Sequence, residues 1–194
     1  MTAAGRERLT AELRRLTRLS VAAQLDDHAA ERAAAGLAQV AAQLEAPMRA
    51  TPWWWQDPAV ESVGGWERFN PVAPPLQISF DGRAVTGRVE MGVEFTGPPQ
   101  AVHGGFVATV LDHVLGIYLS RIERPSFTSS LEVRYLAPTP LGVTLDFEAT
   151  HSIIEGSRTQ AWAELRHEGR TTARAEGRFR LTAAANERLQ RSTA

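Results

Sequence analysis

The 194-residue chain contains no cysteine and no lysine. Without cysteine it has no disulfide, no thiolate-ligated zinc and no thiol nucleophile. A reducing compartment is compatible with that, and the cytoplasm is the expected location. With no lysine, 21 arginines carry all the basic side-chain charge beside 30 alanines. That bias fits a GC-rich genome better than any chemistry. A formal net charge of -1 excludes a strongly basic nucleic-acid binder. No apolar run approaches the ~20 residues a bilayer requires, and the N-terminus (MTAAGRERLTAELRRL) is charged throughout, so neither a membrane span nor a signal peptide is expected. P-loop and dinucleotide fingerprints are absent as well. Ser157 sits in Glu-Gly-Ser-Arg and lacks the following glycine of a nucleophile elbow, which argues against a Ser-His-Asp hydrolase. His113, His151 and His167 have no carboxylate or histidine at metal-ligand spacing, so no metal centre is expected.

What is present divides the chain in three. Residues 6–46 are Ala-rich, with Leu9, Leu13, Leu16 and later Leu37, Val40, Leu44 at three- and four-residue steps. This is an amphipathic helical stripe that Gly36 or the Asp26-Asp27 pair could divide and that Pro47 should end. From Pro47 to Pro75 lie six prolines and four of the five tryptophans, Trp53, Trp54, Trp55 and Trp66. Such a stretch reads as a connector laid on an apolar surface.

After residue 75 the period becomes two. Leu76, Ile78 and Phe80 alternate up to Asp81-Gly82, and residues 84–94 read as the second strand of a hairpin. A helix pattern spans Gly104 to Ser120. Alternation then returns at Leu131, Val133, Tyr135; at Val143, Leu145, Phe147, Ala149; at Ala161, Ala163, Leu165; and at Ala173, Ala175, Phe179. Each strand has one dry and one wet face, so the predicted class is α+β: one antiparallel sheet wrapped around a central apolar helix, with an N-terminal helical extension.

Within that helix Gly105, Thr109, Asp112 and Gly116 share a narrow polar face. Gly104 and Gly105 stand at its start, where N–H groups lack intrahelical acceptors and the absent Cβ permits close approach of a negative oxygen. Asp112 lies two turns on, and the pair suggests an acyl-transfer centre.

The run Val102-His103-Gly104-Gly105, then residues 108–112 ending in Asp112, then Phe127-Thr128-Ser129-Ser130 through Tyr135 with Pro138 and Pro140, resembles the hotdog-fold acyl-CoA thioesterases, in particular the phenylacetate-pathway type. The resemblance covers about residues 75–181. It implies a hotdog domain over 75–181 and says nothing about residues 1–74, which the helical stripe and the Trp- and Pro-rich stretch mark as an N-terminal extension; residues 182–194 are expected to be a C-terminal tail. It further implies hydrolysis of an acyl or aromatic acyl thioester, a self-associating homodimer or homotetramer, and no cofactor, since a thioester is already activated. By the same resemblance the Gly105 N–H polarises the carbonyl, Asp112 is nucleophile or general base, Thr128 of a neighbouring subunit places the water or the acid, and His103 shapes the loop. Gly104, Ser129, Arg134 and Arg158 are expected to bind substrate, and Arg121 and Arg124 are further candidates for coenzyme A phosphates. Relatives often carry an Asn before the His-Gly-Gly run, where this chain offers only Gln100. A non-catalytic acyl-thioester binding protein on the same scaffold is the alternative, with a hotdog hydratase third.

Overall fold

A computed structural model describes residues 2–45 and 65–192. The readings made for Pro47, Trp53, Trp54, Trp55 and the side chain of His151 lie outside the described residues. The chain forms two compact units, Met1–Pro71 and Val72–Ala194.

The first unit holds helices α1 (Ala3–Ala22), α2 (Asp27–Leu44) and the short α3 (Gly65–Phe69). The division of the stripe falls at Asp26, whose carboxylate accepts from the Ala29 N–H at 2.7 Å as an N-cap. Gly36 continues inside α2. The Thr10 hydroxyl donates to the Phe69 carbonyl at 3.1 Å, and the Arg14 guanidinium reaches the carbonyls of Glu67 and Asn70, fastening α1 to α3. No residue of α2 is buried, and Leu37, Val40 and Leu44 stay about half exposed.

The second unit is a six-stranded, wholly antiparallel sheet in the order β1-β2-β4-β5-β6-β3. Its strands are β1 (Gln77–Phe80), β2 (Val85–Glu90), β3 (Ser126–Tyr135), β4 (Thr144–Glu155), β5 (Arg158–His167) and β6 (Arg170–Leu181), with α4 (Gly104–Arg121) against one face and α5 (Ala183–Ser192) at the end. The chain leaves β2, crosses the sheet as α4 and returns as β3 at the far edge.

Val107, Val110, Leu111, Val114, Leu115 and Leu119 of α4 are buried against Val85, Val89, Leu145, Phe147, Ala163, Leu165, Ala175 and Phe179. Burying one such side chain contributes about 1.5–3 kcal/mol. Small residues on β5 and β6 let the helix lie close; at Gly177 the space of a Cβ is taken by Phe179 and Leu115.

Two expectations change. The second strand stops at Glu90, because residues 93–95 coil into a 3-10 turn that brings Phe95 edge-on to Phe106 at 4.9 Å between centroids. The edge strands β1 and β3 contain no buried residue, since each has a neighbouring strand on one side only. Phe127 is 71% exposed and Tyr135 54%. Among the described residues no helix is long and apolar enough to cross a membrane.

Candidate functional site

Chemistry-bearing side chains gather where α4 faces β3. The N-terminus of α4 is held from both sides: the His103 N–H donates to the Phe95 carbonyl at 2.9 Å and the Val102 N–H to the Thr139 carbonyl at 2.8 Å. His103 is the N-cap, and its Nδ1 accepts from the Gly105 N–H at 3.0 Å. The N–H expected to meet an oxyanion is thus shared with an imidazole. On the other side of the same peptide unit, the Tyr135 hydroxyl donates to the Gly104 carbonyl at 2.9 Å. A Cβ on Gly104 would stand 3.2 Å from the Tyr135 ring, which accounts for glycine there. Gln100 occupies the exposed tip of the preceding loop in a left-handed conformation, φ 62°.

Asp112 is half-buried on the strip that also carries Thr109, whose hydroxyl bonds back to the Gly105 carbonyl at 2.8 Å. Thr128 Oγ1 donates to Asp112 Oδ1 at 3.0 Å. The resemblance places this threonine in a neighbouring subunit. Here it belongs to the same chain, because only residues 122–125 separate α4 from β3 and the strand folds straight back on its helix.

A β-bulge makes that bond possible. Thr128 pairs with Phe179 and Ser130 with Arg178, so Ser129 is an extra residue. Thr128 and Leu131 are an odd number of positions apart, and strict alternation would send them to opposite faces. With Ser129 set aside, both join Val133 and Tyr135 on the face toward α4. Ser129 turns outward and donates to the Arg178 carbonyl at 2.8 Å.

The register distributes the expected arginines on the other face. Arg134 lies opposite Arg174 and pairs with Glu132 at 2.8 Å. Arg124 is a structural pin, donating to Thr159 Oγ1 at 2.9 Å and to the Gly156 carbonyl; burial pushes its guanidinium below the ordinary value. Arg158 stands directly opposite Arg180, and neither has an ion-pair partner among the described residues. With Arg178, Ser129, Gln160 and one carboxylate, Glu155, they line an outward groove of about 360 Å³. The sequence reading missed Arg178 and Arg180, visible only as the wet face of β6, and gave Tyr135 no role beyond the motif.

An apolar hollow of about 550 Å³ opens beside Gly104, lined by Pro98, Val102, Val107, Tyr135, Leu136 and Pro138, with no charged residue in its wall. Gly105 and Asp112 are seven residues apart on one helix, about 10 Å at 1.5 Å per residue. One carbonyl group cannot touch both.

Residues 100–182 match the thioesterase superfamily family model. Among solved structures, the chain is similar to a thioesterase superfamily protein at 28% identity over 90% of each chain, TM-score 0.79. It is also similar to a protein of Streptococcus mutans bound to acetyl-CoA, at 19% identity over 55% of this chain and 88% of that one, TM-score 0.52. Thioesterase superfamily member 2 of Mus musculus matches at 18% identity over 55% and 82%, TM-score 0.52. A search of curated proteins gives no match.

Proposed function

We propose, from the premise that this chain carries a thioesterase-superfamily domain of hotdog fold, that it hydrolyses an acyl-CoA to the free acid and coenzyme A. The observation that carries the reading is the Thr128–Asp112 hydrogen bond at the edge of the sheet. Thr128 engages Oδ1 and leaves Oδ2 for the reaction. Oδ2 either takes a proton from a water that attacks the thioester carbon, or attacks it directly to give an anhydride that water opens. In both routes the C–S bond breaks and one water is consumed: its oxygen ends in a carboxylate, one of its protons ends on the thiolate sulfur and the other is released with the acid.

The developing oxyanion takes the Gly105 N–H in place of the His103 imidazole. Because Gly105 and Asp112 of one helix are about 10 Å apart, the two groups of one centre come from two copies of the chain. Antiparallel pairing of two β3 edges centred near Glu132 would bring Thr128 of one copy beside the other copy's Tyr135. That juxtaposes the first copy's Asp112 with the second copy's Gly105. An open β3 edge bearing the exposed Phe127 supports such pairing.

The uncharged hollow beside Gly104 suits an apolar or aromatic acyl group. The arginine groove that begins at Ser129 suits the phosphates of coenzyme A. Of the solved neighbours, the Streptococcus mutans protein holds acetyl-CoA and a hypothetical thioesterase of Streptococcus pneumoniae holds coenzyme A. The pneumococcal neighbour has also been crystallised as an Asp→Ala and as a Thr→Ala variant at positions sixteen residues apart, the separation of Asp112 and Thr128.

The test is thiol release from a panel of short, long and aromatic acyl-CoAs, run beside Asp112→Asn. The expected result is turnover that falls by about 10²–10⁴-fold in the variant while thioester binding persists. Binding without turnover in the wild type would favour the non-catalytic alternative.

A further inference from the structure

The peptide unit joining Gly104 to Gly105 is engaged at both ends: its carbonyl accepts the Tyr135 hydroxyl at 2.9 Å, and its N–H faces His103 Nδ1 at 3.0 Å. We infer that Tyr135 is a positioning residue that sets the orientation and donor strength of the Gly105 N–H by hydrogen-bonding the carbonyl of the same peptide unit. The inference rests on the reading of Gly105 as the oxyanion donor.

The physical argument has three parts. A carbonyl oxygen has two lone pairs, so the tyrosine bond adds to the helical ladder without displacing it. Hydrogen bonds in a chain polarise one another by about 10–30% each, and a donor on the carbonyl draws charge from the amide nitrogen and makes its N–H a stronger donor. Glycine has the widest backbone freedom, and two glycines in succession leave this peptide plane poorly fixed unless something outside the helix holds it. The Tyr135 ring does so sterically as well, standing 3.2 Å from where a Gly104 Cβ would be. Tyr135 closes β3, the strand that also carries Thr128, so one strand orients both the acid and the oxyanion peptide.

Tyr135→Phe removes the hydroxyl and keeps the ring at a residue that is half exposed, where the fold does not depend on it. In the full chain the expected kcat for acyl-CoA hydrolysis falls about 3–10-fold with KM unchanged, the size of effect expected from weakening one oxyanion donor without deleting it. The Gly105 amide proton moves upfield in a ¹H–¹⁵N correlation spectrum, while the melting temperature is kept. Gly104→Ala, whose methyl would press on the ring, moves the same resonance by a second route. An unmoved Gly105 amide, or a change confined to KM, overturns the inference. A wild-type protein that releases no thiol would instead defeat the thioesterase reading, and the amide shift would still decide the role of Tyr135.

Discussion

Thr128 Oγ1 and Asp112 Oδ1 lie 3.0 Å apart within a single chain, a strand residue holding a helix carboxylate sixteen positions before it. A hydrogen bond to a charged group contributes about 1.5–3 kcal/mol, or roughly 10–100-fold in rate if it orients the reacting oxygen. Thr128→Ala is expected to lower kcat by that factor, and Thr128→Ser, which keeps the hydroxyl, to restore most of it. Steady-state thiol release by the two variants checks this.

The proposed centre takes Asp112 from one copy and the Gly105 N–H from another. Asp112→Asn removes the acid and Gly105→Pro removes the N–H at a helix position where proline is tolerated. Each alone is expected to be nearly inactive. Dissociated and reassociated in equal amounts, they should recover about a quarter of wild-type activity, because half the dimers are mixed and each mixed dimer has one intact centre. No recovery would mean that both groups act from one chain or that the copies do not exchange, which labelled subunits would reveal.

Arg158 and Arg180 oppose each other across β5 and β6, and like charges directly opposite are destabilising unless an anion lies between them. Replacing both by Gln should raise KM for acyl-CoA several-fold and leave KM for the matching acyl-pantetheine thioester, which lacks the nucleotide, unchanged. The same variant should melt no lower than the wild type without ligand.

Glu164 is the hub of an ion-pair ladder with Arg166 at 2.9 Å and Arg174 at 2.6 Å. Burial alone would raise its pKa. Hydrogen bonds from Arg166 and Thr171 and the charges of Arg166 and Arg174 outweigh burial and hold the carboxyl below its ordinary value. A depressed carboxylate contributes stability that is present above the unfolded value, about 4.3, and is lost as pH falls through the lower folded value. Glu164→Gln should therefore lower the melting temperature by about 2–4 °C at neutral pH, with the difference closing below about pH 4.

Much of this was legible in the residues. Period-two alternation at Leu145, Phe147 and Ala149, and at Ala173, Ala175 and Phe179, gave the inner face of the sheet, because central strands beneath a helix have only one dry side. The extent of α4 followed from its apolar girth between His103 and Arg121. The faces of β3 were not legible: nothing in Thr128-Ser129-Ser130 distinguishes a bulged serine from an alternating one, and the register is set by β6 across the sheet. Nor was the arginine groove, since Arg158 and Arg180 meet only through strand pairing. Tyr135 looked like the last apolar step of a strand, and its hydroxyl acquired meaning only once the helix start lay beside it.

Ser129 acts as a change of phase in the strand. Residues on its two sides are counted in opposite parity, so a strand that kept this serine but smoothed the bulge into regular alternation would invert the residues before it while leaving Leu131, Val133 and Tyr135 where they are. Thr128 would then look outward with its chemistry intact and its partner out of reach. Phe127 would swing toward α4. A protein with every named site residue still present could lose its centre through a parity error alone, and in comparing relatives of this fold the spacing across β3 has to be counted together with the bulge.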